Sequence, residues 1–226
     1  MSPNQLRYAF TFTGVSIAIY LLLTTIMMFL YYGGDRFNPT LEGYNFFGSF
    51  FSDLGRTHGF TGKSTIWTSI PYMFSMVLMG SGVVVFFRVH KNLVPAGNKL
   101  VVKITTILGT ISGLGYMAIA LTPWNLVPKA HIYSVFSCFT AFMICSFLLF
   151  ISIKQQPNYP KIFGIIFLAF GFFLAAYIFF LILGPSTEFE SGRIVQGSGQ
   201  KLLIYTQSIL MIICCYGAYK HSARYA

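Results

Sequence analysis

The sequence predicts an all-α, polytopic membrane protein, a bundle of six transmembrane helices with a short interfacial helix in its first outward loop. Three observations carry that prediction. Of 226 residues, 55% are hydrophobic and only 9% are charged, against about 25% charged in an average soluble domain. Lys, Arg, Asp and Glu are absent from six long stretches, each able to supply the roughly 20 apolar residues that a helix needs to cross a hydrocarbon core about 30 Å thick. The charges that remain are sorted by sign along the chain. A water-soluble fold of this length has too much surface to cover with so few charges. An ordinary soluble enzyme, a disordered chain and a nucleic-acid-binding module are therefore excluded, despite a formal charge of +10.

The uncharged stretches run over 8–34, 64–87, 104–128, 130–153, 162–187 and 202–219. They place spans at about 8–32, 65–87, 104–122, 131–153, 162–183 and 201–219 within one transmembrane domain, 1–226. The first run is longer than the roughly 7–15 residues of a signal-peptide core and no A-x-A-like site follows it, so it reads as a retained helix. Pro71 falls in the first turns of span two, where a proline is tolerated. Gly80 and Gly82 in span two, the G-x-x-x-G pair Gly109 and Gly113 with Gly115 and Thr106 in span three, Ser134 and Ser137 in span four, and Gly164 and Gly171 in span five let backbones approach within one chain. Thr206 and Gln207 in span six read as hydrogen-bonding groups facing another helix or as cavity-lining groups. All four cysteines fall inside spans four and six, so no extracellular disulfide framework is expected, and no C-x-x-C occurs.

Orientation follows from the connections. Arg7, Arg88, Lys91, Lys99, Lys103, Lys154, Lys161, Lys220 and Arg224 lie at the two termini and the two even-numbered connections, with no acid among them. The other three connections hold all five acids, Asp35, Glu42, Asp53, Glu188 and Glu190, with Arg36, Arg56, Lys63, Lys129, Arg193 and Lys201. Basic residues favour the cytoplasmic side. Both termini are therefore expected in the cytoplasm, with the basic face against anionic lipid headgroups. The expected setting is a plasma membrane, because no retrieval tail is recognisable.

The outward connections hold the candidate chemistry. In the first, Phe46, Phe47, Phe50, Phe51 and Leu54 make an apolar stripe of helical spacing across Asn45–Gly55. Such a short aromatic helix would lie in the interface or over the bundle as a lid or an anchor. Asp53 stands three residues before Arg56, within reach of an ion pair. It is also a candidate base or headgroup contact. The second connection, Leu121–His131, is broken by two prolines, carries Trp124 and Asn125, and ends on His131, which titrates near neutral pH. The third, Gly184–Lys201, is rich in glycine and reads as a flexible loop ending on Gln200 and Lys201. These loops gather Asp53 and His131 as candidate catalytic residues, and Ser52, Arg56, Asn125, Gln200 and Lys201 as candidate ligand-binding residues. Only His58 and His131 among the histidines face outward, without zinc-ligand spacing, so no metal site is expected. No phosphate loop and no G-x-S-x-G element occurs, and no cofactor is expected.

Three elements resemble the domain-of-unknown-function family 998: Phe51-Ser-Asp-Leu-Gly-Arg-Thr57 after span one, Thr122-Pro-Trp-Asn-Leu-Val-Pro-Lys-Ala-His131 before span four, and Gly199-Gln-Lys201 opening span six. The resemblance covers nearly the whole chain, and a weaker likeness exists to the six-helix DRAM-like membrane proteins. It points to Ser52, Asp53, Gly55, Asn125, His131, Gln200 and Lys201. Asn125 stands where an Asp is common in that pattern, and Lys201 where an Arg is common. The resemblance implies no established reaction.

Two classes of function fit. In the first, a polar pocket on the extracytoplasmic face binds or modifies a lipid. Asp53 and His131 would supply hydrogen bonds or proton transfer, and Arg56 and Lys201 would hold an anionic headgroup. The alternative is a small-solute transporter or channel, or a structural subunit of a larger membrane complex. Uncharged span centres and the absence of a strong internal repeat count against transport. The 25 Phe and 14 Tyr admit a homo-oligomer or a membrane complex. Membrane lipids are the expected partners and nucleic acid is not.

Overall fold

A computed structural model of the chain describes residues 1–222; Arg224, counted above among the cytoplasmic bases, lies outside them. Six long helices run over α1 (Pro3–Leu30), α2 (Ile66–Val89), α3 (Lys99–Leu121), α4 (Pro128–Lys154), α5 (Lys161–Leu183) and α6 (Glu190–His221). All six are long and apolar enough to cross a membrane, and no strand occurs among the described residues. Short 3₁₀ turns occupy Phe51–Gly55 and His90–Asn92.

The helices begin where their sequences supply caps. Ser2 and Gln5 form a reciprocal capping box around Pro3 at the start of α1. The Asn98 side chain accepts from the amides of Leu100 and Val101 at the start of α3. Each helix then packs on its neighbour in sequence, and α6 returns to α1 to close a ring. The half nearer the termini is filled by aromatic rings in edge-on contact, including Phe10 on Phe86, Phe87 on Phe142 and Phe142 on Phe170 at centroid distances of 5.7–5.9 Å. Such pairs add about 0.5–1.5 kcal/mol each beyond area burial. Large apolar side chains such as Trp67, 85% exposed, and Phe29, 86% exposed, cover the outside, as lipid rather than water requires.

The small residues work inside the chain. A Cβ on Gly80 would lie 2.6 Å from the Gly113 carbonyl oxygen, and one on Gly113 would lie 2.7 Å from that of Gly80. Here α2 and α3 touch backbone to backbone. At mid-bundle the Tyr116 hydroxyl donates to Gln207 Oε1 at 2.6 Å, so the intramembrane Gln found its partner on another helix. Gln207→Leu strands that buried hydroxyl and is expected to cost about 1–3 kcal/mol, read as a lower unfolding midpoint in detergent.

Two expectations are corrected. The segment Asn45–Gly55 is not one amphipathic helix. Asn45 closes a turn on Gly48 and Ser49, Phe50 is extended, and only Phe51–Gly55 coils, as a 3₁₀ turn. Side chains break the helix: Asn45 Oδ1 accepts from the Gly48 amide and Asp53 Oδ2 from the Phe50 amide, which diverts donors from the helical ladder. The aromatic stripe divides accordingly. Phe51 and Leu54 are buried, while Phe46 and Phe47 stay exposed.

The third connection is not a flexible loop either. Helix α6 begins at Glu190, well before the expected start near 201, and its 32 residues extend about 48 Å at about 1.5 Å per residue. That exceeds a bilayer core by several turns. The glycines taken as loop formers are packing residues, since a Cβ on Gly197 would lie 3.0–3.1 Å from the carbonyl oxygens of Phe47 and Ser49.

Candidate functional site

The first turns of α6 present Arg193, Gln196, Gly197, Gln200 and Lys201 along one face, at the spacing of helix neighbours. The connection between α1 and α2 folds against this face. It closes at its own base, where Gly33 and Gly59 meet so tightly that a Cβ on Gly59 would sit 2.4 Å from the Gly33 Cα. Asp35 is consumed within the connection, accepting from the amides of Phe37 and Asn38 and from Asn45 Nδ2, each at 2.7 Å.

Asp53 is the acid that leaves the loop. Its Oδ2 accepts from Arg193 Nη2 at 2.6 Å, with side chains 4% and 8% exposed. The expected pairing with Arg56 is therefore corrected. The Arg56 Nε instead donates to the His58 carbonyl at 3.2 Å, and its guanidinium lies over the Phe60 ring at 4.1 Å. Arg193 also lies over Phe60, at 5.5 Å, and over Phe50, at 5.0 Å. Burial pulls the Arg56 guanidinium below its ordinary pKa, and the Asp53 charge works against that shift; an arginine keeps its charge regardless.

Lys201 does something different from the ligand contact expected of it. It is 2% exposed and donates to the carbonyls of Ser49 and Gly197. Its ammonium lies 5.4–5.6 Å from the rings of Tyr44, Phe46 and Phe51. This is a cation held by carbonyls and ring faces, joining the connection to α6. Burial, reinforced by the negative charge of Asp53, pushes the Tyr44 phenol well above its usual pKa, so the ring stays neutral. Gln200 adds a third tie by accepting from the Phe51 amide at 2.8 Å. Asn125 is likewise a fastener: its Oδ1 accepts from the Thr57 amide at 3.2 Å and its Nδ2 donates to Thr57 Oγ1 at 2.9 Å.

Beneath this connection lies a cavity of about 690 Å³, within the usual range for small-molecule sites. Ser52, Asp53, Arg56, His131 and Gln200 line it, as does Arg193; Asn125 and Lys201 do not. Of the seven residues expected at a site, five thus share one cavity. At its charged end stand Arg36, Arg56 and Arg193 against a single carboxylate, Asp53. The lining from α4 and α5 is largely apolar, with Ile132, Val135, Phe136, Leu181 and Ile182 beside His131 and Tyr177, while Ser186, Thr187, Gln196 and Gln200 add polar groups. His131 Nδ1 stands 2.7 Å from the Thr122 carbonyl. A carbonyl only accepts, so Nδ1 carries the proton, and in the neutral ring Nε2 is an acceptor.

A narrow void of about 20 Å³ continues inward from Ser52, His131 and Gln200 to Tyr116, and a smaller one of about 10 Å³ reaches Gln207. Past Met79, Val83 and Met211 the interior closes on packed side chains. No cluster of three or more His, Cys, Asp or Glu side chains able to hold a metal occurs among the described residues.

Fold and site together define an integral, multi-pass membrane protein of six helices with a charged cavity at the end of the bundle that holds the acids. No protein-family model, curated protein or solved structure matches the chain.

Arg36, Arg193, Gln196 and Tyr177 are polar or charged cavity residues that sequence reasoning did not single out. Arg193 fell in a glycine-rich stretch taken for a loop. The signal that finds it is the spacing Arg193, Gln196, Gly197, Gln200, Lys201, which is helical.

Proposed function

We propose that this protein binds a membrane lipid, seating the headgroup in the cavity under the α1–α2 connection and the hydrocarbon along α4 and α5. The observation that carries this reading is the polarity of the cavity. The α1–α2 connection and α6 supply four charged side chains, whereas α4 and α5 supply a largely apolar lining that includes Ile132 and Ile182, which are 39% and 62% exposed on the outside of the bundle. An amphiphile matches that gradient and reaches the cavity from the bilayer without crossing it. The charge bias of the connections supports placing this end outside the cytoplasm, both termini inside, in a plasma membrane. The closure of the interior beyond Met79 and Met211 favours a binding site over a through-path for solutes.

Native mass spectrometry of the detergent-purified protein tests the reading. The wild type is expected to retain a defined lipid, and Val135→Trp, which fills the apolar wall, is expected to lose it while still folding. Only bulk lipid on the wild type, unchanged in the variant, would count against the reading. His131 favours a second reading, in which the bound lipid is modified. Its Thr122 bond fixes an acceptor nitrogen on a cavity wall, next to the hydroxyl-bearing Ser52 side of the neck. Retention of lipid by His131→Ala together with loss of a chemical change in that lipid would distinguish the two.

A further inference from the structure

We infer that the headgroup this cavity takes is a monoanion or dianion, a phosphate or carboxylate, held by Arg36, Arg56 and Arg193; this rests on the lipid-binding reading above. The charged residues lining the cavity are three arginines and one aspartate. Asp53 forms its ion pair with Arg193, through one oxygen to Nη2 at 2.6 Å. The Arg193 Nε remains buried without a hydrogen-bond partner, on a residue only 6% exposed. A buried, unmade hydrogen bond on a charged group is costly, so Asp53 alone does not satisfy this guanidinium. Arg56 spends its Nε on the His58 carbonyl and rests its plane on Phe60. That contact fixes the guanidinium plane and leaves the two terminal nitrogens for a ligand. Arg36 makes no ion pair among the described residues and lies over the neighbouring Phe37 ring at 6.0 Å.

The arrangement selects by charge and by shape. Guanidinium forks match the paired oxygens of phosphate and carboxylate. A divalent cation would meet two uncompensated positive charges, and a zwitterionic choline head would bring its ammonium to the same place. The apolar wall then separates an anionic amphiphile from a free anion. Only the amphiphile gains by covering Val135, Phe136 and Leu181 at roughly 0.8 kcal/mol per buried methylene.

Trp124 lines the cavity and lies edge-on to His131 at 5.7 Å, whereas Trp67 lies on the outer surface. In a Trp67→Phe background, Trp124 fluorescence therefore reports on the cavity. The full chain in a neutral maltoside detergent is titrated with dodecyl phosphate, with dodecylphosphocholine and with inorganic phosphate. Dodecyl phosphate is expected to bind roughly tenfold or more tightly than dodecylphosphocholine, with inorganic phosphate far weaker than either. The double variant Arg36→Gln/Arg56→Gln, which spares the Asp53 pair, is expected to abolish that preference. Equal binding of the two amphiphiles overturns the anionic class and leaves lipid binding standing. No fluorescence change with either amphiphile overturns both. Inorganic phosphate binding as tightly as dodecyl phosphate overturns the amphiphile and assigns the arginines to an anion from solution.

Discussion

Replacing Arg193 with leucine is expected to lower the stability of the folded protein by about 3–5 kcal/mol. The cost comes from Asp53. Its side chain is 4% exposed and its Oδ2 accepts from Arg193 Nη2 at 2.6 Å. With the guanidinium gone, the carboxylate keeps only the Phe50 amide at 2.8 Å as a hydrogen-bond donor and loses its one ion-pair partner among the described residues. The pair itself is not a large source of stability, because bringing both ions out of water cancels most of their attraction. The double variant Asp53→Leu/Arg193→Leu is therefore expected to unfold much nearer the wild-type midpoint than the single variant does. A denaturant or thermal series on the four proteins in one detergent measures the coupling. An Arg193→Leu midpoint equal to wild type would show that the buried charge is rescued by some other route.

The second large effect is expected at the α2–α3 crossing. Gly113→Ala places a methyl 2.7 Å from the Gly80 oxygen and 2.8 Å from the Val84 nitrogen. Both are backbone atoms, so no rotamer change relieves the clash and the helices must separate. Overpacking of this kind costs about 1–3 kcal/mol, and Ala over Gly in a helix returns up to about 1 kcal/mol. The net expectation is a loss of about 1–2 kcal/mol. Gly14→Ala is the contrast. Its Cβ would meet nothing nearer than the Cys215 Cβ at 3.7 Å, so only the helix gain remains and the midpoint is expected to rise slightly. Opposite signs for these two glycines in the same assay would separate packing glycines from incidental ones.

The spans and the sorting of charge were legible because both are averages over many residues. Twenty apolar positions in a row have few alternatives to a membrane helix. The candidate cavity was legible only in part. Ser52, Asp53, Arg56, His131 and Gln200 were placed at one end of the bundle by counting connections, and they do share a cavity. Their pairings were out of reach. Asp53 and Arg56 are three residues apart, and a helix would have joined them. The 3₁₀ turn and the extended Phe50 do not, and the partner lies 140 residues further on. Asn125 and Lys201 carry side chains of the right chemistry for a ligand, yet both are committed to protein carbonyls, amides and hydroxyls. Sequence shows what a side chain can donate, not what has already accepted it.

The long reach of α6 has a consequence for how the molecule is made. A chain emerging from the ribosome delivers the α1–α2 connection well before Glu190–Lys201. Until the sixth helix inserts, Asp53 lacks its Arg193 partner, the Ser49 carbonyl lacks the Lys201 ammonium and the Phe51 amide lacks Gln200. The first four contacts of the ring form between neighbours in sequence, whereas these three ties wait for α6. The acid-bearing end of the bundle is thus completed only when α6 arrives, and an assembly intermediate is recognisable by its open roof. An unfinished copy is therefore distinguished from a finished one by a carboxylate at position 53 that still lacks its arginine.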